Sequence, residues 1–137
     1  MDNLASQAYL VVDDDPQTLQ ILSIILEKTI GSSQVALLEN SQQFMQRVEA
    51  LPYVPTVIFL DIFVRPYNGY EMLSQLRQSP TYRDAKIIAV TGRVMGDEVD
   101  RIKNASFDGM ISKPLHRHVF PDLVQKILCG EEVWYIA

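Results

Sequence analysis

The chain has 137 residues, a length that suits one compact domain with a sizeable core. Hydrophobic residues make up 47% and charged residues 21%, a balance outside the range of disordered chains. Lys and Arg number 12 against 17 Asp and Glu, leaving a net charge of −5, and no Lys/Arg run offsets it, which argues against direct nucleic-acid binding.

Residues Met1 to Ala8 carry Asp2 and Asn3 but nothing basic, and Asp13-Asp14-Asp15 cuts short the apolar run Tyr9-Leu10-Val11-Val12. A secretory signal is therefore not expected. No run approaches the roughly 18 apolar residues of a membrane span, so the expectation is a cytoplasmic protein without membrane insertion. Further along, apolar runs at Tyr9 to Val12, Val35 to Leu38, Val57 to Leu60, Ile87 to Val90 and Met110 to Ile111 predict five strands. Helical periodicity follows each run, over residues 16–30, 41–51, 69–78, 96–105 and 116–129. Strand and helix alternating in this way predict an open α/β domain with a mostly parallel sheet covered on both faces. Asp15 before Pro16 reads as an N-cap with proline at the first helical position, and Leu19, Leu22, Ile25 and Leu26 form the inward stripe. Ser41 reads as the cap of the second helix. The single cysteine, Cys129, excludes an intrachain disulfide and a cysteine metal cluster, and reads as a buried or half-buried small hydrophobe near a helix end.

The third and fourth runs are the most continuously apolar, as expected of strands buried on both faces at the centre of a doubly wound sheet. In such sheets ligands bind beyond the carboxyl ends of the strands. Asp13, Asp14 and Asp15 follow the first run, Asp61 the third, Thr91 the fourth, and Lys113-Pro114 the fifth. Converging carboxylates repel one another unless a cation compensates, and oxygen-only ligands favour a hard divalent ion such as magnesium. Lysine and threonine would serve phosphoryl oxygens. Each residue also has a plainer reading. Asp15 fits a cap better than a metal ligand, Asp13, Asp14 and Thr91-Gly92 fit turns, and Lys113 before a proline fits an extended surface lysine.

Four segments, in order and each after a predicted strand, resemble the response-regulator receiver family. They are Tyr9-Leu10-Val11-Val12-Asp13-Asp14-Asp15-Pro16, Val57-Ile58-Phe59-Leu60-Asp61-Ile62, Ile87-Ile88-Ala89-Val90-Thr91-Gly92 and Asp108-Gly109-Met110-Ile111-Ser112-Lys113-Pro114. The resemblance covers residues 8–129, with 130–137 as a short tail, and treats 1–137 as a single receiver domain. It implies a CheY-like, flavodoxin-like three-layer fold around a five-stranded parallel sheet of order 2-1-3-4-5. It also implies that Asp61 accepts a phosphoryl group from a histidine kinase or histidine phosphotransfer protein, and that Mg2+ is held by Asp13, Asp14, Asp61 and the backbone carbonyl of Phe63. Lys113 and Thr91 would contact the phosphoryl oxygens, and the switched surface would engage a downstream protein target or a second copy in a homodimer. Phosphoryl transfer depends on positioning and charge neutralisation, which this residue set can supply.

Several positions depart from the family pattern. The usual proline four residues after the phosphoacceptor is replaced by Arg65, and the proline follows at Pro66. Phe63 occupies a position that influences access of the hydrolytic water, so slow dephosphorylation is expected. Met110 replaces the common aromatic three residues before Lys113, predicting altered coupling to Thr91. Ser106 stands where glycine is common, implying modest strain if its backbone is left-handed. The loop of residues 92–97, with Gly92 and Gly96, is able to move with Thr91, while His116 and His118, two residues apart, share no helical face and predict no zinc site. Trp134 and Tyr135 read as rings packed on the last helix or as part of a partner contact. The 137 residues hold no output domain, which predicts a stand-alone phosphoreceiver. A phosphate-independent scaffold is the alternative, and a Mg2+-dependent phosphohydrolase is disfavoured by short connections that offer no substrate cap.

Overall fold

Leu10 and Val12 point to one side of their strand and Tyr9 and Val11 to the other, and all four are buried. This two-sided burial is what parallel pairing with helices on both faces produces. A computed structural model describes residues 4–137; Asp2 and Asn3 lie outside the described residues. Strands β1 (Tyr9–Val12), β2 (Val35–Leu38), β3 (Val57–Asp61), β4 (Lys86–Thr91) and β5 (Gly109–Ser112) pair in the expected order 2-1-3-4-5, all parallel. A sixth strand, β6 (Val133–Tyr135), extends the sheet beside β5, with Met110 opposite Trp134 and Ile111 opposite Tyr135.

Helix α1 (Pro16–Ile24), continued by a π-helical turn over Ile25–Thr29, lies on one face with α5 (Phe120–Leu128). Their Leu22, Ile25, Leu26, Phe120, Val124 and Ile127 pack on Tyr9, Val11, Phe59, Ile88 and Val90. The other face is covered by α2 (Phe44–Glu49), α3 (Gly69–Arg77) and α4 (Glu98–Asn104), whose Phe44, Val48, Met72, Leu76 and Ile102 meet Leu10, Ile58, Leu60, Ile87 and Met110. Alternate residues of each central strand thus feed two separate cores.

Asp15 caps α1 as expected, accepting hydrogen bonds from Gln17 N at 3.1 Å and Thr18 Oγ1 at 2.8 Å. The Ser41 reading is corrected: α2 starts at Phe44, after Gln43 in a left-handed conformation (φ 49°), and the Ser41 hydroxyl bonds to Tyr67 instead. Helix α5 starts later than expected, because residues 116–119 form a turn in which the His116 carbonyl accepts from Val119 N and Phe120 N. Cys129 is exposed rather than buried, since it follows the last turn of α5 and leaves its side chain outside the core. Ser106 carries no left-handed strain: among the described residues Gln43 is the one non-glycine with positive φ. The Ser106 carbonyl accepts from Arg77, whose guanidinium also pairs with Asp108 at 2.8 Å.

Candidate functional site

The strand order reverses at β1, because the chain runs from β1 to β2 on one side and then crosses to β3 on the other. Doubly wound sheets open a crevice beyond the carboxyl ends of the strands at such a point. Asp13 leaves β1 there and Asp61 ends β3, while Thr91 ends the neighbouring β4 and Lys113 follows β5. The Lys113 amide donates to the Thr91 carbonyl at 2.8 Å, so parallel pairing continues one residue past β5 and holds the lysine at the crevice.

Carboxylate oxygens of Asp13, Asp14 and Asp61 lie within 4.8 Å of one another. Asp13 is 1% exposed and Asp61 7%, whereas Asp14 is open to solvent. Asp13 Oδ1 accepts the Asp15 amide at 2.9 Å, which fixes the carboxylate. Its Oδ2 forms an ion pair with Lys113 Nζ at 2.9 Å and has no other polar partner. Burial pushes the Asp13 pKa up, against the pull of the Asp15 amide and the Lys113 ammonium. Asp61 is raised from 3.8 to about 6, first by burial and then by the charge of Asp13, with Lys113 and the Phe63 amide opposing. One ammonium therefore compensates three carboxylates incompletely. A cluster of hard oxygen donors, two of them on buried carboxylates and only partly relieved by one ammonium, fits a divalent cation. Asp15, by contrast, is committed to its cap, and its pKa is lowered chiefly by the Thr18 hydroxyl.

Thr91 is 0% exposed, and its hydroxyl is engaged by its own loop: Oγ1 accepts from Arg93 N at 3.0 Å and donates to Arg93 O at 3.3 Å. Phe63 is 38% exposed, and the Arg93 guanidinium sits 4.3 Å from its ring centroid. Arg93 was not among the sequence candidates, since an arginine in a glycine-flanked loop carries no signal without the ring it covers. Arg65, His116 and His118 are exposed. Met110 is fully buried between β4 and β6.

The sequence model of the response regulator receiver domain matches residues 9–125, and the chain belongs to that family. Among its relatives, the signal transduction histidine-protein kinase BarA of Shigella flexneri is 23% identical over 124 residues, covering 90% of this chain and 13% of that protein. Stress response regulator protein 1 of Meyerozyma guilliermondii is 29% identical over 128 residues, 92% of this chain and 58% of that protein. The chain thus spans less than two thirds of the length of each of these curated relatives. The solved signal receiver domain of a signal transduction histidine kinase from Syntrophus aciditrophicus superposes with a TM-score of 0.77 at 26% identity, covering 91% of this chain and 92% of that one. Among the described residues no helix is long and apolar enough to cross a membrane.

Proposed function

We propose that residues 1–137 act as a phosphoreceiver in two-component signalling, with Asp61 as the phosphoacceptor and a histidine kinase or histidine phosphotransfer protein as donor. The observation that carries this reading is the cluster of Asp13, Asp14 and Asp61, with oxygens within 4.8 Å, beside Lys113 at the carboxyl edge of the sheet. Asp13, Asp14, Asp61 and the Phe63 carbonyl would hold Mg2+, and the bound ion would neutralise the carboxylates and draw in phosphoryl oxygens.

An Asp61 carboxylate oxygen attacks phosphorus, the bond from phosphorus to the donor imidazole nitrogen breaks, and the nitrogen leaves with the electron pair of that bond. The product is an acyl phosphate on Asp61. Lys113 leaves its pairing with Asp13 enough to take charge on the phosphoryl oxygens. Thr91 turns its hydroxyl proton from the Arg93 carbonyl, where the 3.3 Å bond is the weaker of its two, toward the same oxygens. The loop of residues 92–97 follows, and a downstream protein in the cytoplasm reads the altered surface.

Intact mass after incubation with acetyl phosphate tests the reading. The expected result is an adduct of one phosphoryl group that requires Mg2+ and is missing from Asp61→Asn. A folded protein that binds Mg2+ and forms no adduct identifies a phosphate-independent interaction module instead.

A further inference from the structure

Ser41 lies in the loop between β2 and α2, and it does not cap the helix that follows. It is fully buried, yet both capacities of its hydroxyl go to one residue of a distant loop: Oγ donates to Tyr67 O at 2.7 Å and accepts from Tyr67 N at 2.7 Å. Its own amide donates to Arg65 O at 3.1 Å. These three bonds grip the chain on both sides of Pro66, in the segment that runs from Asp61 through Phe63 to α3. Pro66 has no N–H to contribute, and Arg65, Pro66 and Tyr67 are exposed, so past Val64, which is buried in the core, the crown of this segment is tied down by the Ser41 bonds.

The same segment is closed at its base. Gly69 N donates to Ile62 O at 2.9 Å, and a Cβ on Gly69 would come within 2.9 Å of Ile62 Cα and 3.0 Å of Asp61 O. Base and crown are therefore held by different devices, a glycine that permits close approach and a serine from another loop. Phe63, whose carbonyl completes the proposed cation site, lies between them.

We propose that Ser41 is a positioning residue for the divalent cation: its hydroxyl holds residues 65–67 so that the Phe63 carbonyl and the Asp61 carboxylate keep one fixed relation. Ser41 touches neither the cation nor the phosphoryl group, and the proposal rests on the phosphoreceiver reading of the site. Mg2+ requires a near-ideal ligand geometry, and loss of a partner that orients ligands typically weakens metal affinity by about tenfold or more. The serine tie falls where the proline is displaced: its bonds reach Arg65 and Tyr67, on either side of Pro66.

Ser32 provides the control. It is also buried, with Oγ donating to Gln7 O at 2.9 Å and accepting from Gln34 N at 3.1 Å, but it precedes β2 at the opposite end of the sheet. Ser41→Ala and Ser32→Ala remove equivalent hydroxyls, and both should lower Tm. Mg2+ affinity measured by calorimetry should fall roughly tenfold in Ser41→Ala and stay within about twofold in Ser32→Ala. Amide exchange at Tyr67 in Mg2+-free protein should accelerate only in Ser41→Ala, and phosphorylation by acetyl phosphate should recover when Mg2+ is raised to saturation. Should Ser41→Ala not fold, the near-isosteric Ser41→Cys is expected to weaken Mg2+ binding in the same direction. An unchanged Mg2+ affinity in the folded Ser41 variant, with Tm lowered as in Ser32→Ala, overturns the proposal. A folded wild-type protein that takes up no Mg2+ overturns the reading of the site itself, and the wild-type titration alone tells that failure from the first.

Discussion

Neutralising Asp61 by Asp61→Asn should stabilise the Mg2+-free protein at alkaline pH. Asp61 is 7% exposed and shares a site with two more carboxylates, with oxygens within 4.8 Å. Two unit charges 4.8 Å apart repel by ~3.5 kcal/mol at an effective dielectric constant of about 20, and Lys113 offsets part of the total. The rise in pKa from 3.8 to about 6, caused first by burial and then by the Asp13 charge, corresponds to ~3 kcal/mol against the ionised folded form. Because the folded state holds the proton more tightly than the unfolded state, the favourable contribution is fully present below about pH 4 and is lost as pH rises through about 6. Urea denaturation in chelating buffer should therefore find Asp61→Asn more stable than wild type by ~3 kcal/mol at pH 8, a Tm difference on the order of 10 °C. The gap should narrow steadily between pH 7 and pH 4. Saturating Mg2+ should reduce or reverse it, since only the wild type keeps the full ligand set. A variant less stable than wild type at pH 8, or a gain that does not change with pH, would refute the electrostatic account of the site.

Lys113→Met should cost ~3 kcal/mol in Mg2+-free protein at pH 8, because it leaves the buried Asp13 carboxylate without its cation; urea denaturation measures the loss, and added Mg2+ should restore part of it. Gly109→Ala should loosen β6, since the new Cβ would lie 2.8 Å from Val133 O; a loss of ~1–3 kcal/mol and faster amide exchange at Trp134 and Tyr135 are expected, and unaltered exchange there would show that the backbone has room to yield. Phe63→Asn should shorten the lifetime of phosphorylated Asp61, measured by the decay of the phosphoryl adduct, because it removes the ring that Arg93 covers at the mouth of the crevice; an unchanged lifetime means the ring does not screen the phosphoryl group.

The carboxyl-edge residues were legible in the sequence because each comes just after an apolar run that reads as a strand, and the runs before Asp61 and Thr91 are continuous enough to mark central strands. Asp15 was legible because the Asp-Pro pair at a helix start has few other uses. Ser41 was not, since a serine ahead of an apolar stripe looks the same whether it caps the helix or ties down another loop, and the choice is made by Tyr67, 26 residues away. Strand β6 escaped notice because three residues after Gly130-Glu131-Glu132 are too few to display a period. The Arg93 stack on Phe63 joins two loops that only the fold brings together.

The sixth strand changes what kind of position Met110 occupies. With β6 in place, β5 is an interior strand, and Met110 lies between Ala89 of β4 and Trp134 of β6. Trp134 is the chain's single tryptophan, and its ring also lies 5.6 Å from the Lys103 ammonium on α4. A displacement of β5 or of α4 would therefore reach the same indole, and Trp134 fluorescence is expected to report movement at this edge of the sheet without any added label.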